Sequence, residues 1–176
     1  VAGSADKAVE LMNSRAKMLG MNGTVYTDCT GMGEGNVTTA NDTALLCSEL
    51  AKYKNLTPYL TCWLDTVRDG KAELVNLNRL VRTYKGVTGM KAWGSEKAGS
   101  CIAATAEKGD MSVCVVLNGC DLQENMNAEA KKLLNLAFDT YEIYTPELPE
   151  DMVKETVVCG GEELSVELAP EGLYPI

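Results

Sequence analysis

The chain has 176 residues, 45% of them hydrophobic, with 25 acidic against 16 basic side chains and a net charge of −9. That is enough apolar material for one core, or one core and part of a second. The acidic balance and the want of a Lys/Arg stripe exclude a phosphate-neutralising nucleic-acid binder. No apolar run reaches the roughly 18–20 residues that cross a bilayer. With no histidine, the chain runs no Ser-His, Cys-His or His-ligated metal chemistry. Proton transfer falls to Lys, Asp, Glu, Tyr or Cys.

In chain order, residues 4–19 predict an amphipathic helix, with Ala5, Ala8, Val9, Met12, Ala16 and Leu19 at helical spacing and Gly20 as its stop. Residues 24–27 are short and β-prone, and a loop follows in which Gly31, Gly33 and Gly35 alternate. That loop reads as a turn, since it lacks the G-x-G-x-x-G that opens a nucleotide-binding helix. Thr39 with Asp42 three residues on is a capping signal for a second helix to about Tyr53, with Ala44, Cys47, Leu50 and Ala51 inward. Residues 58–65 read as a short helix or turn, and residues 66–68 as a strand running into the Asp69-Gly70-Lys71 turn. Residues 88–93, 100–106 and 112–117 predict three strands, the last two joined as an antiparallel hairpin by the turn at 107–110. A long helix is expected over 124–144, its inner stripe Ala130, Leu133, Leu134, Ala137 and Tyr141. Residues 147–151, acidic and carrying Pro149, read as a linker before a second hairpin at 155–159 and 165–168, turned at Gly160-Gly161. One hairpin cannot bury a core alone, so this tail reads as the start of a further all-β domain.

The seven cysteines, Cys29, Cys47, Cys62, Cys101, Cys114, Cys120 and Cys159, contain no C-x-x-C pair, which points away from zinc. Cys101 and Cys114 fall in strand-like apolar runs and read as small buried hydrophobes. The odd count argues against a complete disulfide framework and leaves one or two bridges open. Trp63, Tyr59 and Tyr84 read as packing residues.

Five segments, in order, resemble the serine D-alanyl-D-alanine carboxypeptidases of low-molecular-mass penicillin-binding type (peptidase S11). LMNSRAKMLGM at 11–21 is similar to that family's L-M-N-x-x-A-x-x-L-G-M, and GTVYTDCTGM at 23–32 to its N-T-x-F-x-N-x-T-G-L. TTANDTALLCSEL at 38–50 resembles S-T-A-x-D-M-A-x-L-A-x-E-L, and NLNRLVRTYKG at 76–86 resembles N-T-N-x-L-L-x-x-Y-x-G. GVTGMKAWGSEKAG at 86–99 matches G-V-D-G-x-K-T-G-x-T-x-x-A-G, with Ala92 in place of the Thr and Trp93 in place of the Gly.

The resemblance implies an α/β (α+β) fold, a β-lactamase/transpeptidase-like antiparallel sheet with helices on both faces. That fold is expected to be incomplete, with residues 1–145 the later portion of the catalytic domain and 146–176 the linker and start of a β-rich domain. It implies a hydrolase of the cell envelope, outside the cytoplasm, that trims peptidoglycan stem peptides ending in D-Ala-D-Ala and is inhibited by β-lactams. No cofactor or metal is implied, and any membrane association would come through other segments. The family's motifs are S-x-x-K, S-x-N and K-T-G. The first two precede the segment resembled here, so no catalytic residue is expected in this chain; S-x-N is absent from the sequence. Ser4/Lys7 and Ser14/Lys17 have the spacing that sets a hydroxyl and a base one helical turn apart, yet both lie in the helix that follows the family's catalytic motifs.

The expected substrate-binding residues are Lys91, Ala92 and Ser95, with Lys91 offering a compact positive charge to a substrate carboxylate. Ala92 lacks the hydroxyl that Thr would supply, a loss of roughly 1.5–3 kcal/mol, or about 10- to 100-fold. The Trp93 indole is expected to fill the groove unless a bulge turns it outward and presents Gly94 and Ser95 instead. Met126 stands where many relatives carry an Arg, three residues before Glu129; Arg68 and Arg79 read as solvated or structurally paired charges. These departures support a second reading, a non-catalytic peptidoglycan-binding or scaffolding relative. A third, an unrelated α/β domain, would leave the ordered matches unexplained.

Overall fold

The computed structural model describes residues 2–146, and the backbone of two strands at 154–157 and 165–168. The chain divides into two units, Val1–Thr140 and Tyr141–Ile176.

The first unit is built on an antiparallel sheet of three strands: β3 (Val87–Ser95), β4 (Gly99–Lys108) and β5 (Met111–Cys120), in that spatial order. β4 is central and is buried from Ile102 to Ala106, because both its faces are covered there. Its side chains alternate. Ile102, Ala104 and Ala106 meet Met126, Ala130 and Leu134 of α5 (Gln123–Thr140), while Ala103 meets Cys47 of α2 (Ala40–Ala51). Three alanines on the central strand let the two helices approach closely. The α/β expectation of an antiparallel sheet between helices holds.

The inner stripe of α5 repeats every fourth residue, Met126, Ala130 and Leu134, all at most 1% exposed. Two members of the expected stripe fall away: Leu133 is one position off the buried line, and the helix stops at Thr140, short of Tyr141. Met126, at the position expected of a missing Arg, is part of the core.

α1 (Ala5–Met18) is capped by Ser4. Of the expected stripe, only Ala16 is fully buried. α2 begins as the capping signal predicts, the Thr39 hydroxyl accepting from the Asp42 N–H at 3.0 Å. Residues 24–27 form no strand, only a single bridge between Val25 and Val37. The loop between them winds around Asp28, whose carboxylate accepts from the N–H groups of Thr30, Gly31 and Gly33 and from the Thr30 hydroxyl and Asn36 amide.

A 3₁₀ turn (Lys54–Leu56) and α3 (Thr57–Leu60) follow. β1 (Leu64–Val67) pairs with β2 (Ala72–Val75), a strand the sequence pattern did not indicate, around a turn that holds Arg68 and Asp69 at positive φ. This hairpin is exposed along nearly its whole length. α4 (Leu80–Thr83) then delivers the chain to β3 through Gly86, whose φ of +93° suits glycine and where a Cβ would collide with the Glu107 carbonyl oxygen.

In the second unit, β6 (Lys154–Val157) pairs antiparallel with β7 (Ser165–Leu168), the expected hairpin. The linker at 147–151, the Gly160-Gly161 turn and Cys159 lie outside the described residues.

Candidate functional site

The start of β3 is fixed by two asparagines. Asn78 is fully buried; its amide donates to the Gly89 carbonyl at 3.2 Å, and its Oδ1 accepts from the Leu80 N–H at 3.1 Å. The second bond is an Asx turn that opens α4. Asn76 donates to the carbonyls of Leu60 and Cys62 and accepts from the Asn78 N–H. Together they tie α3, α4 and the β3 backbone into one frame. Sequence reasoning assigned neither a role. The available signal was the Asn-x-Asn spacing directly before an apolar helical turn.

From Gly89 to Ser95 the pairing with β4 runs without a register shift; Met90 packs with Cys47 and Ala103, and from Lys91 onward the side chains alternate. Lys91, Trp93 and Ser95 share the face opposite Ala103 and Cys101, and all three are exposed. Ala92 points the other way and is 2% exposed, packed with Leu80 and Ile102 against α5. Of the expected trio, therefore, Lys91 and Ser95 stand together, and the Ala92 methyl lies in the core. Only the Ala92 backbone is within reach of an edge ligand, and a Thr at this position would turn its hydroxyl toward apolar neighbours.

No bulge turns Trp93 aside, since the register shift in this strand lies between Val87 and Gly89. The indole is 43% exposed, two residues along from Lys91. Gly94 faces β4 so closely that a Cβ would meet the Gly99 carbonyl oxygen at 2.9 Å. The Ser95 hydroxyl accepts from the Ala98 N–H at 3.1 Å, which closes the β3–β4 turn while its O–H stays available to donate. Among the described residues Lys91 makes no ion pair, and β3 has a neighbour on one side only. Alternate backbone N–H and C=O groups of β3 thus face an open edge beside a free ammonium, a combination that accepts an extended peptide ending in a carboxylate.

The other sequence candidates have structural roles. The Ser4 hydroxyl accepts from the Lys7 N–H at 3.2 Å, so this S-x-x-K is a helix cap. Ser14 and Lys17 are both exposed on α1. Arg79 lies 3.9 Å from Glu124, Arg68 sits in the β1–β2 turn, and Arg82 stacks over Trp63 at 5.0 Å. Tyr84 packs against the core and its hydroxyl donates to Asn135, but Tyr59 is 80% exposed and packs little. Among the described residues no cluster of His, Cys, Asp or Glu could hold a metal, and no helix is long and apolar enough to cross a membrane.

A sheet covered on both faces by helices, with a lysine-bearing strand at its free edge, defines the penicillin-binding and transpeptidase class of fold. Penicillin-binding protein 5 from Haemophilus influenzae superposes with a TM-score of 0.81 at 23% identity over 95% of this chain and 49% of its own. Penicillin-binding protein D2 from Listeria monocytogenes, in its cefotaxime-bound form, gives a TM-score of 0.67 at 27% identity over 74% of this chain and 54% of its own. Residues 1–121 match the sequence model of peptidase S11, D-alanyl-D-alanine carboxypeptidase. Bacillus subtilis D-alanyl-D-alanine carboxypeptidase DacF is 34% identical over 96% of this chain and 44% of the relative, and Escherichia coli DacC is 31% identical over 96% and 42%. The chain belongs to the S11 D-alanyl-D-alanine carboxypeptidase family, and it spans less than half the length of these curated relatives.

Proposed function

We propose that the chain supplies the substrate-binding edge of a serine D-Ala-D-Ala carboxypeptidase. Its substrate is a peptidoglycan stem peptide ending in D-Ala-D-Ala, its inhibitors are β-lactams, and its place of work is the cell envelope outside the cytoplasm. The observation that carries this reading is Lys91, exposed and unpaired among the described residues on the open edge of β3, within the segment that matches the family.

The peptide lies along β3 as an added strand, its terminal carboxylate against the Lys91 ammonium and the Ser95 hydroxyl, with backbone N–H groups of the strand offered to the scissile carbonyl. A serine supplied from outside these residues attacks the penultimate D-Ala carbonyl. D-Ala leaves, and water hydrolyses the acyl-enzyme.

A second reading is favoured by one observation, the exposed Trp93 on the Lys91 face. An indole there narrows the approach to β3, consistent with a relative that binds stem peptides without turning them over.

Labelling of the full-length protein with a fluorescent penicillin, alongside D-alanine release from a D-Ala-D-Ala peptide, separates the two. For the carboxypeptidase both signals are present, and Lys91→Ala lowers both about 10- to 100-fold, the worth of one charge-assisted hydrogen bond, at an unchanged thermal midpoint. Binding of the peptide without label or release would establish the second reading. Equal rates for the wild type and Lys91→Ala would overturn the role of Lys91 in the first reading, and equal peptide affinities its role in the second.

A further inference from the structure

The face of the sheet that carries Lys91 also carries a pair of thiols that the peptidase reading does not use. Cys47, on the inner side of α2, is 3% exposed and clusters with Met90 and Ala103; Cys114 of β5 packs against that cluster and is half-buried. α2 and β5 are in direct contact, so the two thiols share one cluster at the boundary of two elements. Both are free thiols. Each is the largest influence on the other. The Cys47 S–H donates to Cys114, which pushes Cys47 above the ordinary thiol range, with burial adding to it, and draws Cys114 down.

A single buried cysteine acts as a small hydrophobe. Two that share one cluster across a helix–strand contact are within the reach of a disulfide-forming exchange. We propose that Cys47 and Cys114 form a redox pair that closes to a disulfide, stapling α2 to β5, when the protein meets a small-molecule disulfide oxidant. Cys114 is the entry point, being the more exposed and the first to ionise. Its thiolate attacks one sulfur of the oxidant, forming a mixed disulfide and releasing one small thiolate, which takes up a proton. Cys47 then gives up its proton and attacks the Cys114 sulfur, and the second small thiol leaves. Two protein thiols have lost two electrons and two protons, and the oxidant has become two thiols. The staple closes a loop of roughly 70 residues and fixes the helix that covers the sheet on the Lys91 side.

The test takes the purified protein through oxidised glutathione, then alkylates, digests and maps it by mass spectrometry. The expected product is one cross-linked peptide joining Cys47 to Cys114, two hydrogens lighter than the sum of its parts. The thermal midpoint should rise by about 10 °C, as expected for closing a loop of this length in a protein of this size, and fall back with dithiothreitol. Cys47→Ala and Cys114→Ala, which keep the cluster apolar, should each abolish both the cross-link and the rise, whereas Cys29→Ala should leave both. Recovery of Cys47 and Cys114 as separately alkylated peptides, or either one bridged to a different cysteine, would overturn the proposal; the wild-type map alone reads this even if a variant fails to fold.

Discussion

The two faces of the sheet are built on different principles. On the α5 face, Leu80, Ala92, Ile102, Ala104, Ala106, Val115, Met126, Ala130 and Leu134 form one continuous buried cluster. On the α2 face the buried cluster among the described residues is Cys47, Met90 and Ala103, and farther along β3 the same side opens onto Lys91 and Trp93. Polar tethers hold α2 and its neighbours instead. Asp42 accepts from the Gly23 N–H and the Thr24 hydroxyl, and Glu49 pairs with Arg15 of α1 and with Lys52. One face is closed and carries stability through packing. The other is partly open, and the proposed binding edge and the thiol pair both lie there.

The largest effect should come from the closed face. Leu134 is fully buried at the centre of the cluster. Leu134→Ala removes its packing and leaves a cavity, a loss of about 2–5 kcal/mol read as a shift in the denaturation midpoint. A loss below about 1 kcal/mol would break the contrast between the faces.

Adjacent residues of β3 sharpen it. Restoring the family's letter with Ala92→Thr sends a hydroxyl into the closed cluster and should cost about 1–3 kcal/mol. Trp93→Gly acts on the open side and should widen access to Lys91, raising penicillin acylation in the full-length protein. If Ala92→Thr instead raised acylation at no cost in stability, the placement of Ala92 in the core would be wrong.

Much of this architecture was legible in the sequence where periodicity and turn chemistry agreed. The three strands, the β4–β5 hairpin and both long helices follow from apolar spacing, and Thr39 announced the start of α2. The errors have physical causes. Leu133 is as apolar as Leu134, and only the packing of α5 on β4 selects which of them is buried, while Tyr141 lies past the helix end at Thr140. β2 is Ala-Glu-Leu-Val, too short for a pattern to register, and its pairing with β1 depends on the turn at Arg68 and Asp69. At the candidate site, the place of Lys91 on a strand was legible from its flanking glycines, Gly86 and Gly89. The opposed directions of Ala92 and Trp93 were not, because strict register from Gly89 to Ser95 had to be known first. Asn78 was invisible for the same reason: its partner, the Gly89 carbonyl, is brought to it only by the fold.

The smallest expected effect is one of pH, and it belongs to the tethered side. The Thr24 hydroxyl, then the Gly23 N–H, stabilise the Asp42 carboxylate and hold its pKa below the ordinary value; Lys52 and Arg15 do the same for Glu49. A group whose pKa is lower in the folded state contributes stability above its unfolded pKa, near 4 for a carboxylate, and loses it as pH falls through the folded value. The α5 cluster contains no titrating group, so its contribution should be flat over the same range. Thermal midpoints measured from neutral pH downward should therefore hold until about pH 4–5 and then fall. Asp42→Asn should begin lower at neutral pH and fall less steeply, because the carboxylate that the Gly23 N–H and Thr24 hydroxyl favour has been removed. Parallel curves for the two proteins would mean that Asp42 contributes nothing through its charge, and that the open face, like the closed one, is held by packing alone.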